Sequence, residues 1–141
     1  MAFGKSLSKY RDFGILILRA GLGIMFMYAH GSGKLFAGPE RWAAVGMSMK
    51  HVGITFAPVF WGMLSATAEF FGGFFLLLGL FVRPAALALT FNMVVASLAI
   101  YATSGSVTGA GAQPIEVGIA TLALLFIGAG KYSIDQKLGY A

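Results

Sequence analysis

The chain has 141 residues, of which 58% are hydrophobic and only 11% are charged, and its mean hydropathy is +0.82. Soluble domains carry about 25% charged residues, so this composition excludes an ordinary soluble domain and indicates a polytopic membrane protein. The ten basic residues give a net charge of +5, but they mostly flank apolar segments, which excludes a nucleic-acid-binding patch, and the lack of cysteine excludes disulfides and thiolate chemistry by this chain.

After a basic leader (1–12), the first apolar segment predicts a helix over residues 13–30, in which Arg19 is the only charge before His30. No small-residue cleavage site follows this segment, so we predict that the helix is retained and also targets the chain to the membrane. Residues 19, 23, 26 and 30 follow helical spacing, so Arg19 and His30 share one face at two depths. An arginine at membrane depth is costly, so this face must point to a partner or to water.

Residues 31–55 form a connector, which Gly31, Gly33, Gly38 and Pro39 separate from the first helix. Within it, apolar residues recur at helical spacing from Trp42 to Val52. This spacing predicts a short amphipathic helix at the membrane interface, with Trp42 as an anchor among the lipid headgroups.

The connector also contains Met47, Met49 and His51, whose soft thioether and imidazole groups would suit Cu(I). These residue types are also common in interfacial packing. We therefore predict no metal site.

Three more helices are predicted, over residues 56–82, 84–103 and about 114–130. Each carries one notable polar residue: Glu69 in the second helix, Asn92 in the third and Glu116 in the first turn of the fourth. A short polar tail follows. The predicted fold is an all-α bundle of four transmembrane helices with one interfacial helix between the first two, and residues 1–141 form a single domain.

An even number of helices places both termini on one side of the membrane. Six basic residues lie on that side (Lys5, Lys9, Arg11, Arg83, Lys131 and Lys137), and three lie on the other (Lys34, Arg41 and Lys50). The positive-inside bias predicts that both termini are cytoplasmic and that the protein lies in a bacterial inner membrane.

The helices can be aligned by depth, since an α-helix rises about 1.5 Å per residue. Measured from the predicted helix ends, Arg19, Glu69 and Asn92 lie close enough in depth to meet, with Glu69 as the expected partner of Arg19. A buried pair that fixes helix register is one interpretation, and a substrate or proton role is the other.

A second cluster is expected near the opposite face, where His30 ends the first helix, Glu116 begins the fourth and Lys34 follows in the connector. His30 has the chemistry of a ligand or proton carrier, or it caps its helix. Glu116 is more simply explained as a carboxylate at a helix N-terminus. The candidate binding residues are Arg19, His30, Lys34, Glu69, Asn92 and Glu116, and the catalytic candidates among them are His30, Arg19 and Glu69.

Four motifs in order resemble the DoxX family of small four-helix membrane proteins. They are the arginine of the first helix, the string H-G-x-x-K-L-F from His30, the string A-E-F-x-G-G-x-x-L-x-L-G-L-x-x-R-P from Ala68 and the string G-A-G-K-Y-S-I-D from Gly128. The resemblance covers residues 11 to 138. By matching position, the family features are Arg19, His30, Lys34, Glu69, Arg83 and Asp135.

The resemblance implies a membrane subunit of an oxidoreductase complex, because members of the family include membrane components of quinone-linked complexes. On that basis we expect a quinone or small-molecule pocket between the helices, soluble or membrane redox partners and a homo-oligomer, in addition to contact with the lipid bilayer. Two alternatives stay open. The same charges would line the pathway of a small transporter, or the chain would anchor soluble partners without an activity of its own.

Overall fold

The structure is a computed structural model that describes residues 7–140, and within this range all of the regular secondary structure is helical. Lys5, one of the basic residues counted above, lies outside the described residues. The elements are α1 (Arg11–Leu35), α2 (Pro39–Gly46), a 3-10 helix (Met47–Val52), α3 (Pro58–Leu78), α4 (Val82–Ser104), a 3-10 turn (Gly109–Gly111), α5 (Ala112–Ile127) and α6 (Ile134–Leu138).

Four helices are long and apolar enough to cross a membrane, as predicted: α1, α3, α4 and the span Gly109–Ile127 that contains α5. The start of α1, the helix α6 and the α3–α4 turn lie at one end of the bundle, called here the terminal end. The connector and the α4–α5 loop lie at the other, called the connector end. The bilayer is therefore the environment of this fold.

The predicted break between the first helix and the connector at Gly31 is wrong. Helix α1 continues to Leu35 and includes a π-helical turn over Phe26–Gly31. Gly31 is buried in this turn, and a Cβ on it would lie 2.6 Å from the main-chain nitrogen of Phe70. The glycine therefore permits close contact between helices and does not end one.

The second predicted helix, 56–82, is too long at both ends, because α3 runs from Pro58 to Leu78. Gly79 and Phe81 adopt positive φ angles of 69° and 48°, which form a tight turn before α4 begins at Val82. Residues 79–81, which were predicted to be helical, thus form a turn with an apolar sequence.

The connector forms a helix as predicted, and its apolar side packs against α3. A Cβ on Gly46 would lie 1.8 Å from the Pro58 carbonyl oxygen, and one on Gly62 would lie 1.7 Å from the Trp42 carbonyl oxygen. The main chains of α2 and α3 therefore touch. Trp42 is half-buried and its indole N–H donates to the Lys34 carbonyl at 2.9 Å, so its polar group binds the main chain of α1.

The apolar core lies in the terminal half of the bundle. It is a cluster of buried side chains from every spanning helix, whose largest members are Phe26, Leu76, Val82, Leu89 and Leu124. The connector half contains the cavities described below. One half of the molecule is thus close-packed and the other half is open.

We predict that Gly62→Ala destabilises the protein, because the added methyl group would overlap the main chain of α2. Overpacking of this kind costs about 1–3 kcal/mol. Gly21→Ala is the matched control, since a Cβ there meets nothing within 4 Å and alanine favours the helix. Thermal unfolding in lipid nanodiscs should show a lower melting temperature for Gly62→Ala only, and equal melting temperatures would contradict the contact.

Candidate functional site

An ion pair lies at mid-depth on α3. Lys34, near the end of α1, places its Nζ 2.7 Å from Oε1 of Glu69. The Glu69 side chain is 1% exposed and the Lys34 side chain 25%. Glu69 is the twelfth of the 21 residues of α3, so its charge lies near the middle of that span. A carboxylate at this position is stable as an ion only because the ammonium group compensates it.

Asn92 of α4 extends this pair into a network. Its Nδ2 donates to Glu69 Oε1 at 2.8 Å, and its Oδ1 accepts a bond from the Ser65 hydroxyl at 2.8 Å. The expected proximity of Glu69 and Asn92 is therefore confirmed. Side-chain hydrogen bonds and one ion pair thus link α1, α3 and α4 at this point.

Two buried polar atoms next to this network have no hydrogen-bond partner among the described residues. They are the second carboxylate oxygen of Glu69, Oε2, and the indole nitrogen of Trp61, Nε1. A buried polar group without a partner costs about 1–3 kcal/mol, so such atoms call for a ligand or water. One atom is an acceptor and the other is a donor.

Two cavities meet at the ion pair. The connector cavity, about 300 Å³, lies between the connector, α3 and α4, and its polar lining is Lys34, Arg41, Ser48, Trp61, Ser65, Glu69 and Asn92. The His30 cavity, about 170 Å³, has as its polar lining His30, Lys34, Glu69 and Gln113. Lys34 and Glu69 line both cavities, so a molecule in either cavity reaches the same pair of charges.

His30 lies in the π-helical turn of α1, with its Nε2 3.3 Å from Nε2 of Gln113 on α5. A π-turn contains one residue more than an α-helical turn, and it shifts the residues after it around the helix. His30 and Lys34, four residues apart, consequently line one cavity with Glu69. The face predicted for α1 is confirmed in part, since Arg19, Gly23 and Phe26 are buried and His30 is half-buried.

The predicted pair between Arg19 and Glu69 is wrong. The guanidinium of Arg19, 1% exposed, donates only to main-chain carbonyls: Leu76 at 2.9 Å, Leu77 at 3.0 Å, Ala129 at 3.1 Å, and Tyr132. Leu77 follows Glu69 by eight residues, which is about 12 Å of helix. The depth estimate failed because it placed the ends of the helices at one level, whereas Arg19, eight residues into α1, contacts the last turn of α3.

Arg19 therefore binds the carbonyl groups that end α3, where a cation also favours the helix dipole. It lines none of the cavities above, and four of its five N–H donors are already used.

Asp135 acts at the opposite side of the α3–α4 turn. Its two carboxylate oxygens accept from the main-chain N–H groups of Phe81 and Val82 at 2.7 and 2.9 Å, which caps α4.

The remaining candidates lie elsewhere. Glu116 is exposed on α5 and makes no hydrogen bond or ion pair within residues 7–140, so its expected cluster with His30 and Lys34 is wrong. Arg83 is exposed beside Gly128. In the 3-10 helix Met49 is buried while Met47 is exposed. Across residues 7–140 no three His, Asp or Glu side chains are placed to share a metal ion.

Trp61, Ser65 and Gln113 belong to the site, although the sequence did not single them out. Trp61 and Ser65 precede Glu69 by eight and four residues, so the helical spacing i, i+4, i+8 was the available signal. Gln113 had no such signal, because it lies at the start of α5 and meets His30 only through the tertiary fold.

The fold and the site together define a small four-helix membrane protein with a compensated carboxylate at mid-depth. The chain belongs to the DoxX family, because the family model described as DoxX matches residues 14–102, or 89 of 141 residues. This range contains His30, Lys34, Glu69 and Asn92. No curated protein and no solved structure matches the chain significantly.

We predict that Lys34→Met lowers stability, because it leaves the Glu69 carboxylate buried without its cation. Breaking a fully buried pair costs roughly 3–5 kcal/mol, and the partial exposure of Lys34 reduces this loss. Adding Glu69→Leu should recover most of the loss in a double-mutant cycle of thermal unfolding. The same cycle for Arg19→Met and Glu69→Leu should show simple additivity, and coupling there would contradict the observed pairing.

We predict that Arg19→Met destabilises the protein severely, because it removes the donor to the Leu77, Ala129 and Tyr132 carbonyls, each worth about 1–3 kcal/mol. The Leu76 carbonyl keeps its bond from the Gly79 N–H. Arg19→Lys should lie between wild type and Arg19→Met, since an ammonium cannot reproduce the planar fork. Arg83→Met, at an exposed arginine, is the control and should stay near wild type in thermal unfolding. Equal stability of Arg19→Met and Arg83→Met would refute this role.

Proposed function

We propose that the protein is a membrane subunit of an oxidoreductase complex and that it binds a quinone headgroup at the Lys34–Glu69 pair. The observation that carries the proposal is the buried Glu69 carboxylate, which keeps one oxygen without a partner where two cavities meet. Ligand sites of this kind combine an apolar cavity with a few convergent polar groups. On this proposal, residues 1–141 act as one functional unit.

The chemistry of the site suits a quinone. Reduction of a quinone to a quinol takes up two electrons and two protons, and each carbonyl oxygen becomes a hydroxyl group. The Lys34 ammonium would donate to a quinone oxygen, and Oε2 of Glu69 would accept a hydrogen bond from a quinol hydroxyl. His30 lines the same cavity, and an imidazole can both accept and donate a proton, so it is the candidate proton carrier. The electrons would come from a soluble or membrane partner protein.

The distribution of charges supports a bacterial inner-membrane location with both termini in the cytoplasm. Because Lys34 is paired with Glu69 at mid-depth, it no longer counts as a charge outside the membrane. Five described basic residues of the terminal end, Lys9, Arg11, Arg83, Lys131 and Lys137, then stand against two at the connector end, Arg41 and Lys50, with Arg19 and Lys34 inside the bundle. The positive-inside bias is thus stronger than the sequence alone indicated.

Transport of a small molecule is the second candidate, favoured by the two cavities that share one ion pair. Both cavities, however, lie in the connector half, and the terminal half beneath them is closed by the apolar core. A pathway across the membrane would need this core to open or further copies of the chain to surround it.

A quinone analogue should raise the melting temperature of the purified protein in nanodiscs. A ligand at a hundred times its Kd stabilises the folded state by about 2.7 kcal/mol. Glu69→Gln and His30→Ala should each reduce or abolish this increase, because they change the groups that meet the headgroup.

Glu116→Gln is the matched control, since it removes the same charge from an exposed position that lines no described cavity. It should keep the full increase. An increase that survives in both site variants would remove the Lys34–Glu69 site from the proposal. A flux assay in proteoliposomes separates the two candidates, because a redox subunit should transport nothing.

A further inference from the structure

The polar wall of the connector cavity follows one face of α3. Trp61, Ser65 and Glu69 are spaced by four residues each, so their side chains lie one above another along about 12 Å of helix. The Ser65 hydroxyl is bonded to Asn92, while Trp61 Nε1 and Glu69 Oε2 at the two ends of this row have no partner among residues 7–140. The row thus offers a free donor at one end and a free acceptor at the other.

The cavity also reaches the surface of the connector end. Its lining includes Arg41 and Ala44 of α2, both of which are exposed. Its volume of about 300 Å³ is enough for several water molecules, because each water occupies about 30 Å³ in the liquid. Water enters a cavity when polar groups line it, and the unpartnered atoms of Trp61 and Glu69 meet that condition.

A groove of similar size between α4 and α5 provides the contrast. It has about 280 Å³ and is lined mainly by apolar residues, together with Thr90 and Ser97. Both hydroxyl groups donate to carbonyls of their own helix, Thr90 to Ala86 at 2.7 Å and Ser97 to Met93 at 2.7 Å. Because both hydroxyl groups already have acceptors, the groove suits lipid chains and does not present those hydroxyl groups to water as unpaired donors.

We propose that the connector cavity is a water-filled vestibule that brings water from the connector side to Glu69 at mid-depth, where Oε2 accepts a hydrogen bond from that water. The lining described by residues 7–140 contains two cations, Arg41 and Lys34, and one anion, Glu69, so the vestibule favours anionic over cationic solutes. This proposal stands whether or not a quinone binds.

Cysteine accessibility tests it directly, because the chain contains no cysteine of its own. Ser65→Cys places a thiol in the vestibule, seven residues from the start of α3. Ser97→Cys, the matched control, places one in the α4–α5 groove, seven residues from the end of α4 and therefore at a similar depth. Ala96→Cys is a second vestibule reporter, next to the control on the same helix.

Each variant of the full chain, in nanodiscs, is treated with a charged, membrane-impermeant methanethiosulfonate, and the rate of modification is measured by mass spectrometry. Only the thiolate reacts, and an apolar environment suppresses it, so Ser97→Cys should react at least about tenfold more slowly than Ser65→Cys or Ala96→Cys. Relative to its rate with a free thiol in solution, a sulfonate reagent should also react faster at Ser65→Cys than a trimethylammonium reagent, and Arg41→Gln should reduce that difference.

Equal rates at the vestibule and groove positions, or no reaction at either Ser65→Cys or Ala96→Cys, would overturn the proposal. If Ser65→Cys fails to fold because it loses the bond to Asn92, Ala96→Cys alone decides the result. Fast modification at the vestibule positions in a protein that binds no quinone analogue would leave the vestibule intact and remove only the proposed function.

Discussion

The fold depends on the need to satisfy an arginine that is fully buried in a helix at membrane depth. Arg19 solves this by donating to main-chain carbonyls, which gather the C-terminal end of α3 and the segment after α5 around α1. Carbonyl groups at the end of a helix lack partners of their own, so the arginine and the helix end satisfy each other. Asp135 meets the complementary need at the start of α4. Arg19 thereby binds the carbonyl groups before the α3–α4 turn, and Asp135 binds the N–H groups after it.

This arrangement separates stability from function along the bundle axis. The terminal half contains the Arg19 and Asp135 contacts and the apolar core, and it provides a rigid base. The connector half contains the second compensated charge, Glu69, with cavities on both sides of it. The close main-chain contact of α2 with α3 at Gly46 and Gly62 holds the connector over these cavities. The atoms without hydrogen-bond partners among residues 7–140, Glu69 Oε2 and Trp61 Nε1, thus lie in the half of the bundle that this contact holds in place.

The sequence predicted what depends on composition and spacing: four apolar spans, the helical connector and the proximity of Glu69 to Asn92. It misassigned Arg19 because a carbonyl partner leaves no trace in the sequence, since every residue has one. A carboxylate was the partner that the sequence offered, and the assumption that all helix ends lie at one level made Glu69 seem near enough. The π-helical turn was equally hidden, because Gly31 resembles a helix breaker when its buried contact with Phe70 is unknown.

The separation in sequence between Arg19 and its partners constrains the order of assembly. Ala129 and Tyr132 follow Arg19 by 110 and 113 residues, so a ribosome must synthesise that intervening chain before they exist. Until then the first helix carries an incompletely compensated charge, which favours a shallow position or a temporary partner in the insertion machinery. The segment after α5 is therefore what locks the first helix in place, and the charge of Arg19 is fully compensated only after that segment has been synthesised.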